Sequence, residues 1–427
     1  MALSILFAAD FYPPFLGGAE LQYQMVAQGL ARRGHRIAVA TTWREGLPEE
    51  ETDAAGVRIY RLKGLTTRIP FFFHDPTHRR TPPPAPDPAL TLALRRIIAQ
   101  EKPDVVDAYC WIAYSCAAAL AGRRTPLTLA ARDFGFSCLT RNLMYRHTPE
   151  LCSGPGLGKC VSCAACSMPW LEAAVAATAL RVFRPLVVGR TWAISTGSRY
   201  NAEMTHRDLL DHLPRADRER IQVQQIARLL NHEDLAASEG EPPIAQRLPA
   251  GPFILFVGAL SRHKGLFTLL DAYRKLDSPP PLVLVGTLWG DTPREMPPGV
   301  TVINDVPHRE VMWAWQRCLF GVAPSECPET FGVSVVEVMS VGRPVIASNI
   351  GGPAETVLDG QTGLLVPPGD AEALAAAMQR LIGNDAWREQ LGRQARAHIA
   401  AHYDYEETLS QYESFFERVA RAPLATR

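Results

Sequence analysis

Short apolar runs separated by amphipathic stretches recur along most of the chain, and the first of them starts almost at once. Leu3 to Ala9 is apolar except for Ser4 and reads as a strand buried on both faces. A turn-rich stretch from Asp10 to Gly18 follows, then a helical pattern from about Ala19 to Arg33 that stops at Gly34, then a second apolar run, Ile37 to Thr41. Strand, glycine turn, helix, strand is the grammar of a parallel βαβ unit. Val57 to Leu62, Val105 to Tyr109 and Leu127 to Ala131 supply further short strands.

The same grammar restarts in the second half. Phe253 to Val257 reads as a strand, Lys264 to Leu276 as a helix, and Leu282 to Val285 and Val302 to Ile303 as strands. Phe320 to Ala323, Pro344 to Ala347 and Gly363 to Val366 complete a second parallel set. Between the sets, Glu233 to Pro252 is rich in Ala, Glu, Pro and Gly and reads as a connection. The tail from Asp404 to Ala420 is amphipathic, with Tyr405, Leu409, Tyr412, Phe415 and Phe416, and is expected to cap the second domain or return to the first. The pattern therefore predicts two doubly wound α/β domains: 1–225, 226–404 and a C-terminal helix in 405–427.

Composition narrows this picture. At 427 residues the chain is too long for one ordinary core, and Lys plus Arg balance Asp plus Glu at 44 each, so no global field draws it to nucleic acid. Met1 to Ala9 has no basic lead-in and no small-residue cleavage site, so the expected compartment is the cytoplasm. Leu171 to Val188, the best candidate for a membrane helix, is interrupted by Glu172, Arg181, Arg184 and Pro185, which leaves a core helix or one lying on a surface. Arg68-Ile69-Pro70-Phe71-Phe72-Phe73, with Arg79 and Arg80, mixes aromatics and positive charge and leaves room for peripheral contact with the inner face of a membrane.

The densest chemistry lies in Ser325-Glu326-Cys327-Pro328-Glu329-Thr330-Phe331-Gly332-Val333, followed by Glu337 and then Gly342-Arg343-Pro344. A helix beginning near Val333 aims free N–H groups and the positive end of its dipole at the preceding loop, which suits a diphosphate. Glu329 can accept hydrogen bonds from sugar hydroxyls, and Glu337, a turn inside the helix, from a ribose diol. An acidic helix start would explain either glutamate alone. The whole string requires several residue types to coincide.

This string resembles the donor-site motif of retaining glycosyltransferase family four, two glutamates with seven residues between them. Phe11-Tyr12-Pro13-Pro14 with Gly17-Gly18-Ala19-Glu20 is similar to that family's N-terminal loop, and Arg33-Gly34-His35 to its next turn. Gly258-Ala259-Leu260 with Lys264-Gly265 resembles its phosphate-binding strand end, and Gly351-Gly352 with Glu355, then Asp359-Gly360 and Thr362-Gly363, its late glycine turns. The resemblance implies a GT-B fold, α/β with two Rossmann-like domains facing across a cleft. It also implies transfer of a hexose-type sugar from a nucleotide diphosphate, expected to be UDP, to a small-molecule, glycan or lipid-linked acceptor, with retained anomeric configuration and no catalytic metal. Lys264 and Arg262 are expected to hold the leaving diphosphate, with Gly17, Gly18, Glu329, Thr330, Phe331, Gly332, Val333 and Glu337 binding the donor and Glu20, Arg132 and Asp133 on the acceptor side. Two positions depart from the family: Ala259 stands where an arginine is common, and Arg132-Asp133 where a histidine precedes the aspartate.

Five of the nine cysteines, Cys138, Cys152, Cys160, Cys163 and Cys166, fall within one insertion, 138–166. In a reducing compartment such clustering favours a metal over disulfides. A structural zinc on Cys138, Cys152, Cys160 and Cys163, with Cys166 in reserve, is expected, and an iron–sulfur cluster is the alternative. Two other readings stay open: a GT-B nucleotide-sugar epimerase or phosphorylase, and a catalytically inert, metal-stapled binding protein.

Overall fold

The computed structural model describes residues 2–14, 17–68, 81–145, 150–230 and 241–421. Most of the aromatic and basic stretch around Phe71, and part of the expected connection at 231–240, lie outside the described residues. The chain divides into two compact units, Met1–Leu229 with Glu406–Arg427, and Leu230–Tyr405.

The first unit is built on an eight-stranded sheet: β1 (Ser4–Ala9), β2 (Arg36–Thr42), β3 (Glu50–Thr52), β4 (Arg58–Leu62), β5 (Val105–Tyr109), β6 (Leu127–Ala131), β7 (Thr191–Thr196) and β8 (Gln222–Gln225). Their order across the sheet is β3-β4-β2-β1-β5-β6-β7-β8, parallel throughout except for β3 against β4. β1, β5 and β6 are buried along their whole length because helices cover both faces, which is why they read as mostly apolar runs; the polar side chains inside them, such as Asp107 and Thr128, bond to each other. β8, Gln-Val-Gln-Gln, is a polar edge strand with no such run, and β7 follows directly on the helix Trp170–Arg190; neither was expected.

The second unit carries six parallel strands, β9 (Ile254–Val257), β10 (Leu282–Val285), β11 (Val300–Ile303), β12 (Gly321–Ala323), β13 (Val345–Ser348) and β14 (Gly363–Val366), in the order β11-β10-β9-β12-β13-β14. This is the doubly wound arrangement, with strand order reversing between β9 and β12. In the first unit the reversal falls between β1 and β5. Such reversals position ligand sites, because the connections on either side leave in opposite directions and open a crevice outside the carboxyl ends of the two central strands.

The helix Tyr405–Arg421 turns Leu409, Tyr412, Phe415, Phe416 and Val419 inward at helical spacing. Phe416 meets Phe7 of β1 edge to face at 5.6 Å. The turn Arg33-Gly34-His35 clasps the helix from outside the core: Arg33 binds Glu406 at 2.5 Å and Glu413 at 2.7 Å. The Leu3 N–H donates to Nδ1 of His35 at 3.1 Å, so the imidazole carries its proton on Nε2, from which it donates to Glu413 at 3.0 Å. The His35 hydrogen bond and the Arg33 guanidinium hold Glu413 below the usual glutamate range. Glu413 therefore contributes stability that is present above that range and lost as the pH falls through its lowered value. Glu413→Gln should reduce the apparent melting temperature by about 1–3 °C at neutral pH, a modest figure because the pair is partly solvated, with the deficit shrinking in acid. Melting curves of both proteins across that pH range check it.

Candidate active site

In the second unit the chain leaves β9 through Gly258-Ala259-Leu260-Ser261 and makes a single 3-10 turn, Arg262–Lys264, before the helix Leu266–Arg274. The sequence pattern places Lys264 inside that helix. The structure stops it one residue short, and the separate turn frees the lysine to reach the loop after β12. There the Lys264 Nζ lies 3.1 Å from Oε1 of Glu329, which also accepts from the Ser325 hydroxyl. Burial pushes the Glu329 carboxyl up, but Lys264, Ser325 and His263 together outweigh it and hold it below its ordinary value. A lysine and an ionised glutamate, from loops on either side of the strand reversal, thus sit at the carboxyl ends of β9 and β12.

The late glycine turn fixes this loop from behind. The Gly352 N–H donates to the Glu329 carbonyl at 2.8 Å, and a Cβ on Gly351 would come within 2.5 Å of that same oxygen, so no other residue fits. Gly332 then caps the helix Val333–Ser340, whose first N–H groups end the loop. Thr330 and Phe331 are buried beneath it, with Phe331 against Tyr403 at 5.7 Å. Glu337 projects from the helix into a largely buried position where His308 Nε2 lies 2.7 Å from Oε1 and the Trp315 indole N–H donates to Oε2 at 3.4 Å. Arg262 is not drawn to Glu329: its guanidinium lies 4.7 Å over the Phe267 ring while its N–H donates to Asp291.

The first unit builds a second charged cluster at its own strand reversal. Asp10, one residue past β1, is fully buried; it accepts from the Ile112 N–H at 2.8 Å and from Arg141 at 3.4 Å. Burial raises its carboxyl to about 6 against the pull of Arg141. Arg141 also pairs with Asp133 at 3.7 Å, donates to the Cys110 sulfur at 3.2 Å and stacks on Trp111 at 4.4 Å. Asp133 accepts from Tyr109 at 3.2 Å and from the Gly135 N–H at 2.8 Å. Asp133 therefore belongs to the crevice, whereas its neighbour Arg132 turns away and is buried against Ser195 and the Tyr412 hydroxyl. Glu20 folds back over the start of the helix Gly18–Arg32, so close that a Cβ on Gly17 would stand 2.1 Å from its carboxylate.

Asp10, Cys110, Arg141 and His308 carry no motif that marks them in advance, and Ser325 opens the glutamate string without a role of its own. Asp10 had one usable signal, an ionisable residue closing an apolar parallel strand. Arg141 was hidden within the cysteine-rich insertion.

That insertion requires a correction. Among the described residues no three Cys, His, Asp or Glu side chains are gathered to hold a metal ion, so Cys138, Cys152, Cys160 and Cys163 do not form the expected zinc centre, nor does Cys166 complete one. The sulfurs are engaged separately: Cys138 with Thr140 at 3.2 Å, Cys152 with the Gly154 carbonyl at 3.4 Å, Cys160 with the Gly156 N–H at 3.4 Å, Cys163 toward the Met144 carbonyl at 3.9 Å and exposed Cys166 toward that of Ser162 at 3.8 Å. Burial raises the Cys160 thiol, and nearby Cys138 and Cys152 add to the shift.

Two doubly wound α/β units, each with its charged cluster at the strand reversal, define the GT-B class. Solved structures agree at the level of fold: the sucrose-phosphate synthase of Thermosynechococcus elongatus superposes with a TM-score of 0.73 at 19% identity, covering 97% of this chain and 99% of that one. The Anabaena protein HepE in complex with UDP-glucose gives 0.66 at 18% identity, covering 97% and 99%. Residues 16–135 match the model of Glycosyltransferase Family 4, and residues 244–398 that of Glycosyl transferases group 1. The chain belongs to the family-four type of glycosyltransferases. It is 34% identical over 172 residues to the D-rhamnosyltransferase WbpZ of Pseudomonas aeruginosa, covering 37% of this chain and 45% of the relative. It is 30% identical over 222 residues to the phosphatidyl-myo-inositol mannosyltransferase of Mycobacterium leprae, covering 47% and 59%. The chain spans about half the length of the curated relatives it matches.

The Lys264 and Glu329 pair predicts a measurable linkage. Lys264→Met leaves a largely but not fully buried carboxylate without its cation, which should cost about 1–3 kcal/mol at neutral pH. The cost should fall in mild acid, where Glu329 takes up a proton in the variant. Urea midpoints of wild type and variant across that range test it.

Proposed function

We propose that the chain is a retaining glycosyltransferase that moves a hexose-type sugar from a nucleotide diphosphate, a UDP-sugar in the first instance, to an acceptor hydroxyl. The observation that carries this reading is the meeting of Lys264 and ionised Glu329 at the strand reversal of the second sheet, beside the N-terminus of the helix Val333–Ser340. In this reading the Lys264 ammonium and the N–H groups around Phe331 to Val333 neutralise the charge that develops on the departing diphosphate. Arg262 adds to that field if it leaves Phe267. Glu329 accepts hydrogen bonds from the transferring sugar, and Glu337, held by His308 and Trp315, uses its remaining lone pairs on the ribose diol.

The acceptor oxygen attacks the anomeric carbon from the face the diphosphate leaves, and a donor phosphate oxygen takes its proton. No protein base is then needed, and with no Asp-x-Asp pair in the sequence the chemical step is assigned no divalent metal. Gly17, Gly18 and Glu20 are assigned to the approach of substrate at the helix Gly18–Arg32, and Asp133, with Arg141 and Asp10, to orienting the acceptor. The acceptor itself is a small molecule, a glycan or a lipid-linked sugar, and the protein works at the cytoplasmic side.

A panel of nucleotide sugars, followed by release of the free nucleotide with and without candidate acceptors, tests the proposal. With the best donor, Glu329→Gln should lower kcat by about tenfold to a hundredfold, the loss of charge-assisted hydrogen bonds to the reacting sugar. Glu337→Ala should raise KM for the donor about tenfold and leave kcat near its original value, because a ribose contact is the same in ground and transition states. Unchanged kcat/KM in the glutamine variant would remove Glu329 from the site. Nucleotide release that is absent for every donor would overturn the enzymatic reading.

A further inference from the structure

The helix Trp170–Arg190 packs inward through Ala173, Ala177, Leu180, Val187 and Val188. Its opposite side is also apolar. Trp170 is 66% exposed, Leu171 70%, Val175 62% and Val182 58%, and Leu186 continues the same stripe. Through a shallow groove whose lining mixes apolar Leu157, Val161 and Trp170 with Ser162, Cys166 and Thr178, the stripe runs on to the neighbouring helix Leu157–Ala164, where Leu157 is exposed. Single exposed apolar residues are ordinary, but these six make up over half of the eleven large ones exposed among the described residues, and they lie together.

The charges around this stripe are mostly of one sign. From Leu157 to Arg190 the chain has Lys159, Arg181, Arg184 and Arg190 against a single acid, Glu172, although its net charge is zero. Arg181 is exposed on the apolar side. Arg190 donates to the carbonyls of Leu120 and Arg123, which brings exposed Arg123 and Arg124 to the end of the helix. Arg184 instead points inward to the Asp208 carbonyl. No helix among the described residues is long and apolar enough to cross a membrane.

We propose that this face docks on an anionic lipid bilayer, with the helix lying in the plane of the interface. Its aliphatic residues enter the acyl boundary, Trp170 sits at headgroup level, and Arg181, Arg123 and Arg124 meet lipid phosphates. The charge pattern selects this occupant over a second copy of the chain, because a two-fold contact would set the same basic rim against itself. The proposal rests on exposed side chains alone and is independent of the donor-site reading.

Cosedimentation of the full chain with phosphatidylcholine vesicles, with and without phosphatidylglycerol, tests it. The wild type should pellet with the anionic vesicles and be released by salt. The triple variant Leu171→Ser, Val175→Ser, Val182→Ser changes only exposed positions and should bind about tenfold less or weaker still. Arg181→Glu with Arg123→Glu should lose the preference for phosphatidylglycerol. A melting curve and a thermal-shift response to UDP, both unchanged in the triple variant, separate a failed docking surface from a failed fold or donor site. Equal sedimentation of wild type and triple variant, no sedimentation of either, or light scattering showing that the substitutions abolish a dimer or a protein complex instead of vesicle binding would each overturn the proposal.

Discussion

A parallel sheet whose strand order reverses leaves an uncovered gap outside the carboxyl ends of its two central strands, and both units of this chain are organised around what fills that gap. Free backbone N–H groups and strand ends concentrate polarity there while helices seal the faces, so charged side chains can be held close together without being stranded in an apolar core. The second unit fills the gap with one cation and one carboxylate from two loops, backed by the tight Gly351-Gly352 turn. The first fills it with two carboxylates that share one guanidinium. The two solutions differ in charge balance. A net-neutral pair beside a helix N-terminus favours an anion, whereas a cluster with an excess carboxylate favours hydroxyl and ammonium groups.

The architecture was legible because buried parallel strands write themselves as short, predominantly apolar runs. Val105–Tyr109, Leu127–Ala131, Leu282–Val285 and Gly363–Val366 fall at the residues where the runs fall. Edge strands do not have to be apolar, so Glu50–Thr52 and Gln222–Gln225 left no such mark. The two doubly wound units followed from the repetition of the βαβ grammar, and the GT-B fold from the family resemblance that the glutamate string carries.

The sites were legible only in part. Glu329 and Glu337 stood out because several residue types had to coincide around them, but Lys264, His308 and Trp315, which fix them, come from other segments that tertiary structure brings near. Lys264 was visible as a lysine and misread as helical, because nothing local reveals that the chain makes a separate turn before Gly265. The cysteines failed differently. Clustering in sequence was read as a ligand set, yet among the described residues no three candidate ligands are gathered for a metal ion, and the sulfurs meet backbone and hydroxyl groups. The residue of that insertion with the most partners in the crevice is Arg141, a side chain that spacing rules for metal ligands ignore.

The return of the helix Tyr405–Arg421 to the first unit bears on how the chain is made. Arg132, Tyr412, Phe7 and Phe416 pack together although about 280 residues of sequence separate the partners in the first pair. A ribosome emits the chain from one end at roughly 5–20 residues per second. The second unit is contiguous and has all its strands as soon as it has emerged. The first unit lacks the Tyr412 hydroxyl on Arg132 and the Phe416 ring on Phe7 until the helix Tyr405–Arg421 is made. The part synthesised first is thus finished last, and for that interval the nascent chain offers chaperones a surface that the finished protein covers.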